Sequence, residues 1–582
     1  MKKISLLLYV FLVIPVMGYS YDLPLGIPDP GFGLDAVRPS RPDPWTSEVT
    51  GYYYIEDTAG CSKTTDYGTP DEPRCYIPNP IAAGSVVEVH GTYNHTTAGS
   101  IQLHGTGTAE QPIWVVGENH TNMPTFTDII LVFGSYIYIQ DIHGVFTGTN
   151  DRLAVGTSSH SGYGADHIMV RDCLLESNND KRTHAITTSG YSEEEAARYI
   201  IYVHNTCRNF GVIGATIDLD AHVLMVNRYS RHVWILDNTV YHCGGAGISI
   251  GQEGPAWHYT DNQWIFAGRN NVYDTTQASM AIKGAWHVVF SENNVHDPIT
   301  RWVDGVEGGT VASPSKCFGW KGEPQDYWII NNICQNASYG VHGGATVDNK
   351  QFKIYIIGNT FRHIYANKPD EFTGTNTWGE AAISMIRGGY VYAIGNSIYD
   401  AVSGINAAGP GGTSGQLYHY YIENNIIENI GTAHMVIGSR DIPAQTYVRN
   451  NIIYQPDSST ELIRWGSHNY NLSEFKTATG KGQNNVLADP KFVDPENNNF
   501  HLASDSPAID AGVTDTGLLS NVFATFQSIY GLNIRKDIVL TPRPQGSGWD
   551  IGAYEFDKGG SGGGDSSGGG QLAPPSGFKL IQ

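Results

Sequence analysis

Basic side chains are scarce in this chain, so their spacing is informative. Its 582 residues hold 35 Lys and Arg against 57 Asp and Glu, a net charge of −22. Four residues able to carry positive charge nevertheless close strand-like words of one form: Lys283 in IKG, Lys321 in WKG, His342 in VHG and Arg387 in IRG. Lys283 stands ten residues before Asn293, Lys321 ten before Asn331, and Arg387 nine before Asn396. Equal offsets in a repeating fold put side chains at one angle, so these four are expected in one line. Like charges on neighbouring strands repel, and an extended polyanion along the line would relieve that cost. If the polyanion is a uronan, the chemistry is β-elimination: the sugar carboxylate is neutralised, a base takes the adjacent proton, and an acid protonates the leaving O4. A lysine beside other cations titrates low enough to act as base, which assigns that role to Lys283. Arg387 and Lys321 are expected to hold carboxylates, Arg bidentately, and His342 or a tyrosine on the rim to protonate O4.

Other residues extend this candidate site. Asn227 and Arg228, in VNR, occupy the same column upstream, and Trp302 and Trp378 lie in insertions at 296–316 and 362–381; all four are expected to bind substrate. The competing reading is a solvated charge network in which Asp304, Glu307, Glu323 or Glu380 balances the cations. Asp218 and Asp220 alternate on TIDLDAHV and with Asn227 offer oxygen ligands for Ca²⁺, or form a surface acid pair. No other cofactor is expected. Asp304 and Glu307 would bind metal, act as a hydrolytic acid/base pair, or neutralise the lysines.

The element that must position these residues is marked by asparagine. Asn205, Asn238, Asn270, Asn293, Asn331, Asn359, Asn396, Asn424, Asn450 and Asn484 each follow an apolar run in nearly interchangeable words, with Asp141 and Asp172 in the same place upstream. Such spacing means a solenoid. Asparagine tolerates the left-handed turn between strands, and stacked amides bond along the pile. The fold class is therefore all-β, a single-stranded right-handed parallel β-helix with an asparagine ladder. EEEAAR at 193–198 is the best local helix candidate.

The segments divide as a signal peptide (1–20), an N-terminal lead-in or cap (21–80), β-helix coils (81–490), a C-terminal coil and cap (491–557) and a Gly/Ser-rich tail (558–582). Lys2 and Lys3 before an apolar run, with Gly18-Tyr19-Ser20 after it, give the secretory signal. Cys61 and Cys75 bracket a loop and are expected to pair, whereas Cys173, Cys207, Cys243, Cys317 and Cys334 read as buried small hydrophobes. The acidic balance excludes a nucleic-acid partner, and no later stretch is long and apolar enough to span a membrane.

With these columns in view, residues 80–556 resemble the pectate-lyase-like superfamily of right-handed parallel β-helices. AGSVVEVHGTYNH and GTAEQPIWVVG are similar to the opening of polysaccharide lyases of the alginate lyase/chondroitinase B type. SMAIKGAWHVVFSENNV (279–295) looks like that family's coil bearing its basic lysine, which the resemblance places at Lys283. The family takes an arginine from the following coil, where this chain has Lys321; its first arginine is Arg387. The DPKF, SPAIDAG and DIGAYE words near the end resemble the tails of secreted bacterial β-helix proteins. The pectate-lyase WxDH, the polygalacturonase GHG and RIK, and the mannuronan-epimerase DPHE are missing from the sequence. The expected function is a secreted, monomeric lyase acting on an acidic polysaccharide. The alternatives are a glycoside hydrolase using Asp304 or Asp218 and Asp220, or a non-catalytic glycan-binding surface protein.

Overall fold

The computed structural model describes residues 21–557, apart from 97–98, 149–150, 157–163, 178–182, 214–220, 252–261, 304–309, 322–324, 345–352, 366–379, 386–388, 408–417, 439–445, 457–461 and 515–516. The signal-peptide and tail assignments lie outside the described residues, as do Asp218, Asp220, Asp304, Glu307, Glu323, Trp378 and Arg387.

Short strands rich in Ile, Val and Tyr alternate with tight turns, and each strand pairs in parallel with the matching strand one coil later. The result is a right-handed parallel β-helix with three sheets. The first runs from Tyr52–Glu56 to Thr446–Arg449. The second runs from Thr92–Tyr93 to Val486–Leu487. The third runs from Ile101–Thr106 to Ile463–Trp465. The stack thus begins at Tyr52, inside the segment read as a lead-in. Register puts like on like: Ile168, Ile200, Val233, Ile265 and Val288 are stacked partners, all in the inner core.

The chain's own ends cover two sheets. Residues of the 21–36 segment and the helix Leu518–Tyr530 pack on the outer face of the first sheet, against Trp114, Trp234 and Trp328. Around residues 489–556, Phe500, Ile538 and Ile551 pack against Tyr399, Ile426 and Ile452 of the second sheet. A second helix, Leu472–Thr479, buries Leu472 and Phe475 at the end of the inner core. The EEEAAR candidate is not a helix. Bends and a turn there lead into the strand Ala197–Val203, because three adjacent glutamates give no apolar face to dock.

The ladder is present with its register shifted by one residue in four coils. The continuous column is Asn205, Asn238, Asn270, Asn293, Asn332, Asn359, Asn396, Asn425, Asn451 and Asn485. In each rung the Nδ2 group and backbone N–H donate to the next Oδ1, as from Asn293 to Asn332 at 2.9 Å each. The left-handed residue is the one before: His204, Asp237, Arg269, Glu292, Asn331, Asn424, Asn450 and Asn484 all have φ between 50° and 58°. Asn331, Asn424, Asn450 and Asn484 are therefore turn residues, and so are Asp141 (φ 55°) and Asp172 (φ 53°). Cys173 takes the ladder place upstream, its N–H donating to Asn205 Oδ1.

Cys61 and Cys75 are bonded as expected. Cys317 and Cys334, read as independent buried residues, form a second disulfide, while Cys173, Cys207 and Cys243 are free and buried.

Replacing Asn293 with Ala removes its bonds to Ala267 O and Asn332 and strands the donors of Asn270. At about 1–3 kcal/mol for each buried group left unpaired, a loss of about 2–5 kcal/mol is expected in denaturant unfolding. The same change at Asn484, an exposed turn residue, is expected to cost less than about 1 kcal/mol.

Candidate functional site

Alternation along the third sheet sends Met280 and Ile282 into the core and leaves Ala281 and Lys283 facing outward. Pairing of Ala278–Lys283 with Lys316–Lys321 sets Lys283 beside Lys321. The outer row through them runs Gly251, Lys283, Lys321, Gly344. A parallel row two residues earlier runs Ser249, Ala281, Gly319, His342, Ser384, Asn406. Small residues at Ala246, Ala278, Ala281 and Gly319 floor the surface beside the cations.

Two amines and two imidazoles gather over this floor. Lys283 Nζ lies 3.3 Å from Nε2 of His222, a buried residue just ahead of the strand Leu224–Val226. Nδ1 of His222 accepts the Ala246 N–H at 3.2 Å. That bond fixes the neutral ring with its proton on Nε2, aimed at the Lys283 amine. The His222 carbonyl accepts from His184 Nδ1 at 2.7 Å, which anchors the turn. On the neighbouring strand Lys316 is half-buried. Burial, helped by the Lys283 charge, brings it down to about 8. A proton on either amine therefore opposes a proton on the other.

The next coil supplies Tyr339, register partner of Lys316, and His342. Their rings are 4.2 Å apart, and His342 Nδ1 lies 3.1 Å from Ser384 Oγ. Burial, with the Lys316 charge, pushes His342 down to about 3. Burial, with the nearby Glu380 carboxylate, pushes Tyr339 up to about 12. At neutral pH the cluster therefore holds a neutral imidazole at His342, a protonated phenol at Tyr339 and, at Lys316, an amine that titrates at about 8.

The sequence placed some of these residues well and others not. Lys283 and Lys321 are neighbours in register as counted, and Lys321 is exposed. His342 is not in their line: it pairs with Gly319, two residues earlier. It also does not hold a readily lost proton, since burial keeps it neutral. Asn227 lies in the outer row before Gly251, and its Oδ1 accepts the Arg228 N–H at 3.0 Å. Trp302 belongs to an antiparallel hairpin, Arg301–Val303 with Thr310–Ser313, that leads into the Lys316 strand. Glu380 is buried. Among the described residues no group of three or more His, Cys, Asp or Glu is placed to hold a metal.

His222, Lys316 and Tyr339 were missed. Lys316 has a visible signal, because it closes the 296–316 insertion and sits five residues before Lys321. Strict alternation from Lys321 would bury it. Cys317 and Phe318 both turn into the core, which returns Lys316 to the outer face.

No protein-family model and no curated protein matches the chain. Among solved structures, pectate lyase Pel9A matches at 12% identity and TM-score 0.35, covering 88% of this chain and 97% of that one. A rhamnogalacturonan lyase matches at 14% and 0.38, over 71% and 89% of the two chains. The PL6 family polysaccharide lyase from Pseudopedobacter saltans matches at 11% and 0.37, over 75% and 96%. At these identities the likeness is one of architecture.

Proposed function

We propose that the protein is a secreted polysaccharide lyase that cleaves an acidic, uronic-acid polymer by β-elimination on the outer face of the third sheet. The observation that carries this reading is the pairing of Lys283 with His222 beside a second, low-titrating amine at Lys316. A glycosidase pair would need two carboxylates facing one bond; the described cluster offers amines, imidazoles, a phenol and the single buried carboxylate of Glu380.

In the proposed reaction Lys283 is the base. His222 holds that amine through its Nε2, 3.3 Å from Nζ. The amine takes the proton from C5 of the uronate, and the C–H electron pair becomes the C4–C5 double bond. The C4–O4 bond breaks, and O4 takes a proton from the Tyr339 hydroxyl. Lys316 and Lys321 neutralise the carboxylate as negative charge develops on it, the interaction that lowers such a barrier most. His342 stays neutral and orients Tyr339. The small residues of the floor let the sugar ring approach the strands. Localisation outside the cell rests on the N-terminal charged and apolar run, with two disulfides in support.

Incubation with pectate, alginate and glycosaminoglycans is expected to generate ultraviolet-absorbing unsaturated ends on one of them. Lys283→Ala is expected to lower that rate by about 10²–10⁴-fold; full activity in this variant would sink the assignment. In the free protein Lys316 should titrate near pH 8, held down by burial and by the Lys283 charge. NMR titration of the isotopically methylated lysines should show one amine near that pH, missing in Lys316→Ala and shifted upward in Lys283→Met, which removes the repelling charge.

A further inference from the structure

The far end of the solenoid holds an open cavity of about 560 Å³ that the third-sheet cluster does not use. Tyr447, Arg449, Asn450, Lys481, Gln483 and Asn484 line it, and residues 512–514 form one wall. From Asn293 to Asn485 is six ladder rungs, roughly 29 Å at about 4.8 Å per coil. The cavity also lies at the first-sheet edge, away from the third sheet.

Two stacked columns run out here. The first is aromatic: Trp328, Tyr355, Tyr392, Tyr421 and Tyr447 stack with centroids 3.6, 4.7, 4.6 and 5.2 Å apart. Its early members are buried, whereas Tyr447 is 42% exposed. The second is the row of left-handed turn asparagines. Asn331, Asn424 and Asn450 donate to Asp537 O, Val513 O and Ala511 O of the returning C-terminal segment. Asn484, the last, is exposed, and among the described residues its amide reaches only Asn450 Oδ1, at 3.5 Å. The end of the fold therefore leaves a ring and an amide facing one cavity.

Two cations join them in a chain of net charge −22. Arg449 Nε donates to the fully buried Glu423 at 2.8 Å, which fixes its guanidinium at the rim, 32% exposed. Lys481 Nζ hovers over the Tyr447 ring, 5.6 Å from its centroid. Its flexible stem lets the ammonium leave the ring for a stronger partner. An aromatic face, a few fixed polar groups and a volume of this order make a small-molecule site. The paired cations select an anion, and planar guanidinium suits a carboxylate.

We propose that this cavity is a second saccharide site that binds a carboxylate-bearing sugar, its ring against Tyr447, its carboxylate on Arg449 and Lys481, and its hydroxyls on the Asn484 and Gln483 amides. It holds an acidic polymer and takes no part in cleavage.

Calorimetric titration of the full chain carrying Lys283→Ala, which prevents turnover, with galacturonate, mannuronate and glucuronate trimers tests this. Saturable binding of at least one trimer is expected, and its methyl ester should bind at least tenfold more weakly. Adding Lys481→Glu, which leaves the aromatic stack in place, or Tyr447→Ala should remove one binding event. Neither change, made in the otherwise native chain, should alter cleavage of short substrates. Unchanged binding in both variants, equal binding of the methyl ester, or no binding of any trimer overturns the proposal. Loss of the Lys481-dependent event in a chain that cleaves no uronan would uphold this site while refuting the lyase reading.

Discussion

Everything in this molecule depends on the register between coils, and the buried asparagine column holds that register. Each rung spends a side-chain amide and a backbone N–H on the next rung's single carbonyl oxygen. A slip by one residue would strand these groups inside the protein, at a cost comparable to losing several hydrogen bonds, and would turn core residues outward. Register fixed in this way makes residues dozens apart in sequence into neighbours about 4.8 Å apart. Lys283 and Lys321 are separated by a long insertion yet remain partners.

The same constraint explains what could be read from the sequence. The fold was legible because its period repeats in nearly identical words, and the Lys283–Lys321 pair because both sit close to their marks. The ruler was one residue off at Asn331, Asn424, Asn450 and Asn484, where two adjacent polar residues compete for the ladder place and only burial decides. His342 was misplaced because its mark lay seventeen residues downstream. Lys316 escaped the count for a different reason: two consecutive inward residues break the alternation just after it. His222 precedes its strand, where no periodic pattern reports which way a side chain points. Counting recovers columns of strand residues; it does not recover side chains that reach in from turns.

Charge placement follows from which faces the chain covers. The lead-in and the longer helix bury aromatic residues against the first sheet, and the C-terminal segment buries others against the second. Cations on those faces are tied to partners, Arg171 to Ala36 O, Arg269 to Asp237 and Arg362 to Asn498. The third sheet, which neither segment covers, carries Lys283, Lys316 and Lys321 over a floor of alanine and glycine.

Holding two amines together over that floor is unfavourable for the isolated protein. Burial and mutual repulsion lower the titration of Lys316, and the difference from a free lysine is free energy the fold must supply. Rigidity makes this possible. The strand carrying Lys316 and Lys321 is paired on both edges, and from inside the Cys317–Cys334 bond ties it to the second-sheet strand of the same coil. The amines cannot separate by bending the backbone. Their repulsion is therefore relieved by losing a proton or by gaining an anion. Lys316, the amine brought low, regains charge when a carboxylate arrives, which is the part the proposed reaction asks of it. The proposed elimination draws its neutralising charge from this electrostatic conflict, which coil register keeps in place.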